Sequence, residues 1–90
     1  MIDPAIANFL AGDIQSPTWR AMARDMLTKI SDGPFDVTRC ATEPLACITN
    51  ANLEVLAKTG PITDGRSCFD AMFLAAAANA VRRMLEAEVA

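Results

Sequence analysis

Residues 66–88 have the sequence RSCFDAMFLAAAANAVRRMLEAE and decide the expected fold. No charged residue occurs between Ala71 and Ala78, and a helix that is apolar all round is typically enclosed by other helices or by a partner. We therefore expect a long helix at the centre of the molecule or at an interface. Six residues at helical spacing form its predicted core stripe: Phe69, Met72, Phe73, Ala76, Ala77 and Ala80.

Polar residues mark both halves of this helix. Thr63, Asp64 or Ser67 can cap its start, and Ser67 followed by Asp70 resembles a capping box with Asp in place of Glu. The second half carries a polar ridge that is expected to face water or a polar partner. The ridge consists of Asn79, Arg82, Arg83 and Glu86.

Two shorter helices are predicted nearer the N-terminus. Asp3 and Pro4 suit the N-cap and first turn of a helix over residues 4–11, which Gly12 can end in a left-handed conformation. Ser16 and Pro17 likewise begin a helix over residues 17–31. Asp25 and Lys29 lie at the favourable i,i+4 spacing of this second helix. The expected apolar faces are Ile2, Ile6, Phe9 and Leu10 in the first helix and Trp19, Met22, Ala23, Met26, Leu27 and Ile30 in the second, with Trp19 expected to be buried.

The segment between these helices and the long helix has the weakest pattern. Residues 35–43 alternate Phe35 and Val37 with polar residues, but one isolated strand cannot form a sheet, so we expect a loop. Residues 44–59 are predicted to be helical, begun by Thr42 or Glu43 and ended by Gly60–Pro61, either continuous or broken near Asn50. The predicted fold class is therefore all-α, a single domain over residues 1–90 with four or five helices in a compact bundle.

The composition limits the chemistry. The 90 residues include 8 Lys+Arg, 11 Asp+Glu, no His and no Tyr, for a formal net charge of −3. Because the chain has no His, catalysis by Ser-His or Cys-His pairs and metal binding by His are excluded. The uncharged run from Ala71 to Val81 is shorter than the roughly 20 residues of a membrane-spanning helix. We expect a small acidic protein of the cytoplasm, with no targeting signal, membrane segment, metal or cofactor.

The three cysteines are Cys40, Cys47 and Cys68. An odd number argues against a closed disulfide framework. If residues 40–47 were helical, Cys40 and Cys47 would be about 10 Å apart, too far for a disulfide; if they were partly a loop, a bridge could form. We expect three buried thiols in a reducing compartment, with redox sensing by Cys68 as the alternative for that residue.

Arginine dominates the basic residues and supplies the candidate binding sites. Arg20 and Arg24 at i,i+4 repel each other unless an anion lies nearby, and arginine suits bidentate contacts to carboxylates or phosphates. The candidate partner-binding residues are Arg20, Arg24, Arg66, Arg82 and Arg83. The carboxylates Glu43, Asp64 and Asp70 have no spacing that ties them to a nucleophile or metal, so no catalytic residue is expected.

The expected function is therefore non-enzymatic. We predict a helical protein-interaction module, namely an adaptor, chaperone, inhibitor or accessory subunit that binds another protein, with homodimerisation through the Ala-rich helix as an option. The alternative is a small dimeric DNA-binding regulator with a helix-turn-helix formed by residues 51–59 and a helix from Arg66. Its turn would exceed the usual three or four residues, and the acidic balance does not favour nucleic acid as a partner.

Overall fold

Helices and strands both occur in the protein. The computed structural model describes residues 3–40 and 43–89, apart from the side chain of Val89. Ile2 and Thr42, which figure in the sequence predictions, lie outside the described residues. The elements in chain order are α1 (Pro4–Leu10), α2 (Pro17–Leu27), β1 (Asp36–Arg39), β2 (Leu45–Thr49), β3 (Val55–Pro61) and α3 (Gly65–Val89). The predicted all-α bundle is therefore wrong, because the described chain is an α+β arrangement.

The three strands form one antiparallel sheet with β2 in the middle. Asp36 of β1 lies opposite Thr49 of β2, and Leu45 of β2 lies opposite Pro61 of β3. The loop expected over residues 35–43 and the helix expected over residues 44–59 are thus both corrected to strands. The reason is that β2 is a short, buried apolar run, and such a run cannot be distinguished from a piece of buried helix by periodicity alone.

Asn50 forms the turn between β2 and β3. Its side-chain Oδ1 accepts hydrogen bonds from the backbone N–H groups of Asn52 and Glu54, both at 3.0 Å. Its Nδ2 donates to the Glu54 carboxylate at 3.0 Å. Asparagine side chains compete with helical hydrogen bonds in this way and favour turns. The predicted break near Asn50 is therefore a β-turn. The predicted helix-turn-helix motif is wrong because residues 51–59, its first helix, form this turn and most of β3.

The described chain divides into two compact units. Of the described residues, the first contains 3–30 and 85–89, and the second contains 31–40 and 43–84. The long helix α3 contributes residues to both units. None of the helices in the described part of the chain is both long and apolar enough to cross a membrane.

In the first unit, the predicted helix starts are confirmed. Asp3 Oδ1 accepts from Ala5 N at 2.7 Å, and Ser16 Oγ accepts from Trp19 N at 3.3 Å. Trp19 is buried, with 8% of its surface exposed. Its indole stacks on the Phe9 ring with centroids 5.1 Å apart, and Nε1 donates to the Phe9 carbonyl at 2.8 Å. Gly12 has the expected left-handed φ of 75°, while α2 ends at Leu27, before the predicted residue 31.

The core of the second unit lies between α3 and the sheet. Ala71 and Ala75 of α3 are buried against Ala46 and Ile48 of β2. Three of these four residues are alanines, which allow the helix backbone to approach the sheet closely. Partly buried side chains complete this core: Phe35, Val37, Ile62 and Cys68.

α3 and the sheet approach each other closely at Gly60. A Cβ atom at this position would lie 2.3 Å from Ser67 Oγ, and Gly60 has a φ of 139°. Next to it, Thr59 Oγ1 donates to the Ser67 carbonyl at 2.7 Å. The β2–β3 pairing is irregular here and at Leu56, where β3 has one residue more than β2, as in a β-bulge. The end of β3 is thus shaped to receive the first turn of α3.

We expect Gly60→Ala to destabilise the protein by at least about 2 kcal/mol, because the new methyl group collides with Ser67 and the backbone is strained. Chemical denaturation followed by circular dichroism measures this loss. Gly65→Ala is the matched control, since a Cβ at Gly65 meets no atom within 4 Å. Equal stability of the two variants would contradict the close contact at Gly60.

Candidate functional site

The face of α3 opposite the core is apolar and exposed. Phe69 is 69% exposed, Phe73 is 73% exposed and Met72 is 53% exposed. Since a helix turns 100° per residue, Ala76 and Ala80 continue the same face. We call Phe69, Met72, Phe73, Ala76 and Ala80 the outer stripe; all five are exposed.

These five residues all belong to the predicted core stripe, so the orientation of that stripe is corrected. We expected the uncharged middle of the helix to be enclosed. In the described chain, Ala71 and Ala75 are buried, whereas the outer stripe faces solvent. The inner face holds the small residues because the sheet lies close to it. The larger apolar residues Phe69, Met72 and Phe73 therefore lie on the solvent-exposed face of α3.

The outer stripe has a bulky half and a small half. Phe69, Met72 and Phe73 project from the N-terminal half. A shallow groove follows in the C-terminal half, lined by Ala76, Asn79, Ala80, Arg83 and Met84. The three bulky side chains expose on the order of 400 Å² of apolar surface. A patch of this size is comparable with the largest on typical monomers, which often has a function.

Arg20 and Arg24 both bind Glu88 within the first unit. Arg24 Nη2 lies 2.5 Å from Glu88 Oε2, and Arg20 Nη1 forms an ion pair with Glu88 Oε1. Arg20 Nε also donates to the Ile14 carbonyl at 2.6 Å. The anion that this arginine pair requires is therefore a carboxylate of the same chain.

Arg82 and Asn79 hold the segment that precedes β1. Arg82 Nη2 donates to the Ser31 carbonyl at 2.9 Å, and its guanidinium lies 5.6 Å from the centroid of the Phe35 ring. The Asn79 amide accepts from Phe35 N at 2.8 Å and donates to Phe35 O at 2.9 Å. Sequence reasoning missed this role of the polar ridge. The available signal was an amide in the middle of an alanine-rich helix, which needs polar partners when it is covered.

Arg66 and Arg83 differ from the other three arginines. Both are exposed, and neither side chain has a hydrogen bond or ion pair within residues 3–40 and 43–89. Both border the outer stripe, where Asp70 is the nearby carboxylate on the helix. Of the five candidate binding residues, these two lie beside the exposed apolar surface.

The three candidate carboxylates have different roles. Asp64 caps α3: its Oδ1 accepts from Arg66 N at 3.0 Å, and its Oδ2 accepts from Ser67 Oγ at 3.3 Å. Glu43 accepts from Lys58 Nζ at 2.8 Å, and Asp70 is exposed. The described residues contain no group of three or more His, Cys, Asp or Glu side chains that could hold a metal ion.

A small cluster of polar and thiol groups lies beside the β1–β2 hairpin. Burial raises the pKa of the Cys47 thiol, and its hydrogen bond with Cys40 adds to the rise, as do the charges of Cys40 and Glu43, whereas Lys58 opposes it. The hydrogen bond that Lys58 donates to the Glu43 carboxylate in turn raises the pKa of Lys58. The cysteines in this structure are thiols, and no disulfide joins them.

Comparison with known protein families, curated proteins and solved structures finds no match to this chain. The function must therefore be argued from the outer stripe and its bordering charges.

We expect Asn79→Ala to lower the free energy of unfolding by about 1–3 kcal/mol, because two backbone groups of Phe35 lose their partner. Asn79→Asp is expected to destabilise as well, because a carboxylate accepts from Phe35 N but cannot donate to Phe35 O. Urea denaturation of both variants measures the effect. Asn8→Ala, a substitution at an exposed asparagine of α1, is the control. An unchanged denaturation midpoint for Asn79→Ala would show that the two hydrogen bonds between Asn79 and Phe35 do not contribute to stability.

We also expect stability to fall at alkaline pH. The folded Cys47 has a pKa above the ordinary value of 9.0, so the unfolded chain releases this proton at a lower pH than the folded chain. Stability is then constant below pH 9.0 and decreases as the pH rises towards the folded pKa. Loss of the Lys58–Glu43 pair adds to the decrease at higher pH.

Thermal denaturation in the presence of a reductant measures this pH profile. The Cys47→Ala variant should show a shallower decrease above pH 9.0 than the wild type. The Cys68→Ala variant, which removes a thiol outside this cluster, should keep the wild-type slope. A Cys47→Ala profile that matches the wild type would argue against the buried thiol as the cause.

Proposed function

We propose that this protein is a non-enzymatic protein-interaction module whose outer stripe binds an acidic amphipathic helix of a partner protein. The observation that carries the proposal is the exposure of Phe69 and Phe73, at 69% and 73%, on the face of α3 opposite its core. Exposed apolar patches of this size, bordered by polar residues, commonly mark binding sites for other proteins.

The spacing of the outer stripe supports a helical partner. Phe69, Phe73, Ala76 and Ala80 follow the i, i+4, i+7, i+11 pattern. Ridges with this spacing fit between those of a second helix. The two phenylalanines can insert between the partner's side chains, and the groove beside Ala76 and Ala80 can receive a bulky residue from the partner.

The charges beside the stripe support an acidic partner. Arg66 and Arg83 border it with exposed guanidinium groups, while Asp70 is the carboxylate on this part of the helix. Carboxylates on the partner helix can form bidentate pairs with these arginines. Such pairs contribute mainly to specificity and to the rate of association, while the phenylalanines supply most of the affinity.

The edges of the sheet are poorer binding surfaces for another protein. The bulged residues of β3, Leu56 and Thr59, interrupt its pairing pattern, and Pro61 removes a backbone donor at its end. The other edge strand, β1, has only four residues and begins and ends with exposed charges, Asp36 and Arg39. Charges, bulges and short strands are the usual means of blocking strand addition.

A synthetic acidic amphipathic helix, with leucines at i, i+3, i+4 and i+7 flanked by glutamates, tests this proposal. We expect it to bind the full chain more tightly than the same peptide with lysines in place of glutamates. Phe73→Ser should weaken binding by about 30-fold, as expected for a central aromatic residue of an interface. Fluorescence anisotropy measures both effects, and circular dichroism checks that the variant is folded.

Leu10→Ser is the matched control, because Leu10 is 68% exposed but lies on α1. It should leave the affinity unchanged. Equal affinity for the acidic and basic peptides, or an unchanged affinity of Phe73→Ser, would refute the proposed site. Light scattering that shows a dimer lost on Phe73→Ser would also overturn it, because the stripe would then be covered by a second copy of the chain.

A further inference from the structure

The cluster at the β1–β2 hairpin contains two thiols on one face of the sheet. Thr38 lies opposite Cys47, and Cys40 N donates to the Leu45 carbonyl at 2.9 Å, so the pairing of β1 with β2 continues through Cys40. Because side chains alternate between the two faces of a sheet, Cys40 and Cys47 are diagonal neighbours on the same face. The two cysteines are therefore neighbours, and the separation of about 10 Å expected for a helix over residues 40–47 does not apply.

The two thiols are in contact but differ in accessibility. Cys47 is completely buried, and its Sγ donates to the Leu45 carbonyl at 3.7 Å. The Cys40 thiol forms a hydrogen bond with Cys47 and is only partly buried. A reagent from solvent therefore reaches Cys40 first.

A cation faces the pair from the neighbouring strand. Lys58 of β3 lies opposite Cys47 in the register, and its ammonium group interacts electrostatically with both thiols. Glu43 holds this ammonium group through its contact of 2.8 Å. A nearby ammonium favours the thiolate form of cysteine, which is the reactive form.

We propose that Cys40 and Cys47 form an oxidation site at which a hydroperoxide converts the two thiols to an intramolecular disulfide. This inference does not depend on the proposed function of the outer stripe. The Cys40 thiolate attacks the peroxide oxygen, which breaks the O–O bond, forms a sulfenic acid on Cys40 and releases an alcohol that takes up the Cys40 proton. The Cys47 thiol then attacks this sulfur, the S–S bond forms, and the S–O bond breaks. The hydroxyl group leaves with the Cys47 proton as water.

The electrons and atoms balance in these two steps. The two thiols together lose two electrons and two protons, and the hydroperoxide is reduced to one alcohol and one water molecule. Cys40 is the attacking residue because solvent reaches it first, and the buried Cys47 is the resolving residue. The disulfide would link β1 to β2 across the hairpin.

Cys68 provides an internal comparison. It lies on α3 in the core between helix and sheet, and its Sγ donates to the Ile62 carbonyl at 3.7 Å. The described residues place no second thiol in contact with it. The structure thus predicts different outcomes for the cysteines of one chain under the same oxidant.

The reduced full chain can be treated with a stoichiometric amount of hydrogen peroxide, alkylated at its remaining thiols and digested with trypsin without reduction. Cleavage after Arg39 and Lys58 places Cys40 and Cys47 on one peptide, residues 40–58, while Cys68 lies on the peptide of residues 67–82. We expect peptide 40–58 to be unalkylated and lighter by two hydrogen atoms. We expect peptide 67–82 to be alkylated.

Two variants complete the test. Cys68→Ala should form the same internal disulfide, and Cys47→Ala should carry stable sulfenic or sulfinic acid on Cys40 because the resolving thiol is absent. The proposal is overturned if peptide 40–58 of the wild type is alkylated at both cysteines, if Cys68 is oxidised first, or if the disulfides formed link two chains. The wild-type result stands by itself if Cys47→Ala does not fold.

Discussion

The close approach of α3 to the sheet is the constraint on which the second unit depends. Ala71 and Ala75 meet Ala46 across this layer, and Gly60 leaves room for Ser67 at its end. The small side chains on this face of α3 leave room for Ile48 of β2 and for the partly buried Phe35 and Val37. The bulky apolar residues of α3 are therefore displaced to the opposite face. The exposed surface that we propose as a binding site is thus a direct consequence of how the core is packed.

The same helix also uses its polar residues in two ways. Asn79 and Arg82 are directed at the chain before β1, where they satisfy backbone groups and cover the Phe35 ring. Arg66 and Arg83 are exposed at the border of the outer stripe, Arg66 near Phe69 and Arg83 beside the groove at Ala80. Arginines that look equivalent in the sequence therefore divide into two groups. Some bind other parts of the same chain, and others are exposed and can bind a partner. This division depends on which side of the helix each one occupies relative to the sheet, and the sequence pattern does not predict that sheet.

Local signals predicted the helices well, and non-local pairing explains the failures. The caps at Asp3 and Ser16 depend on a few neighbouring residues, so they could be read directly. The strands depend on partners distant in sequence. With residues 44–59 predicted as a helix, the alternation around Phe35 has no strand to pair with, and a loop is predicted. The absence of charge between Ala71 and Ala78 predicts an enclosed helix but does not show which of its apolar faces meets the sheet. Two of the five candidate arginines nevertheless border the exposed surface.

The bulged residues Leu56 and Thr59 affect how the β3 edge can pair with other copies of the chain. A regular, flat edge strand acts as a template on which identical chains can stack into fibrils. Two bulges within the seven residues of β3 break its regular hydrogen-bonding pattern. A regular strand from another chain therefore cannot pair along its whole length. These interruptions therefore disfavour the stacking of identical chains on this edge, where the aliphatic side chain of Val55 is exposed.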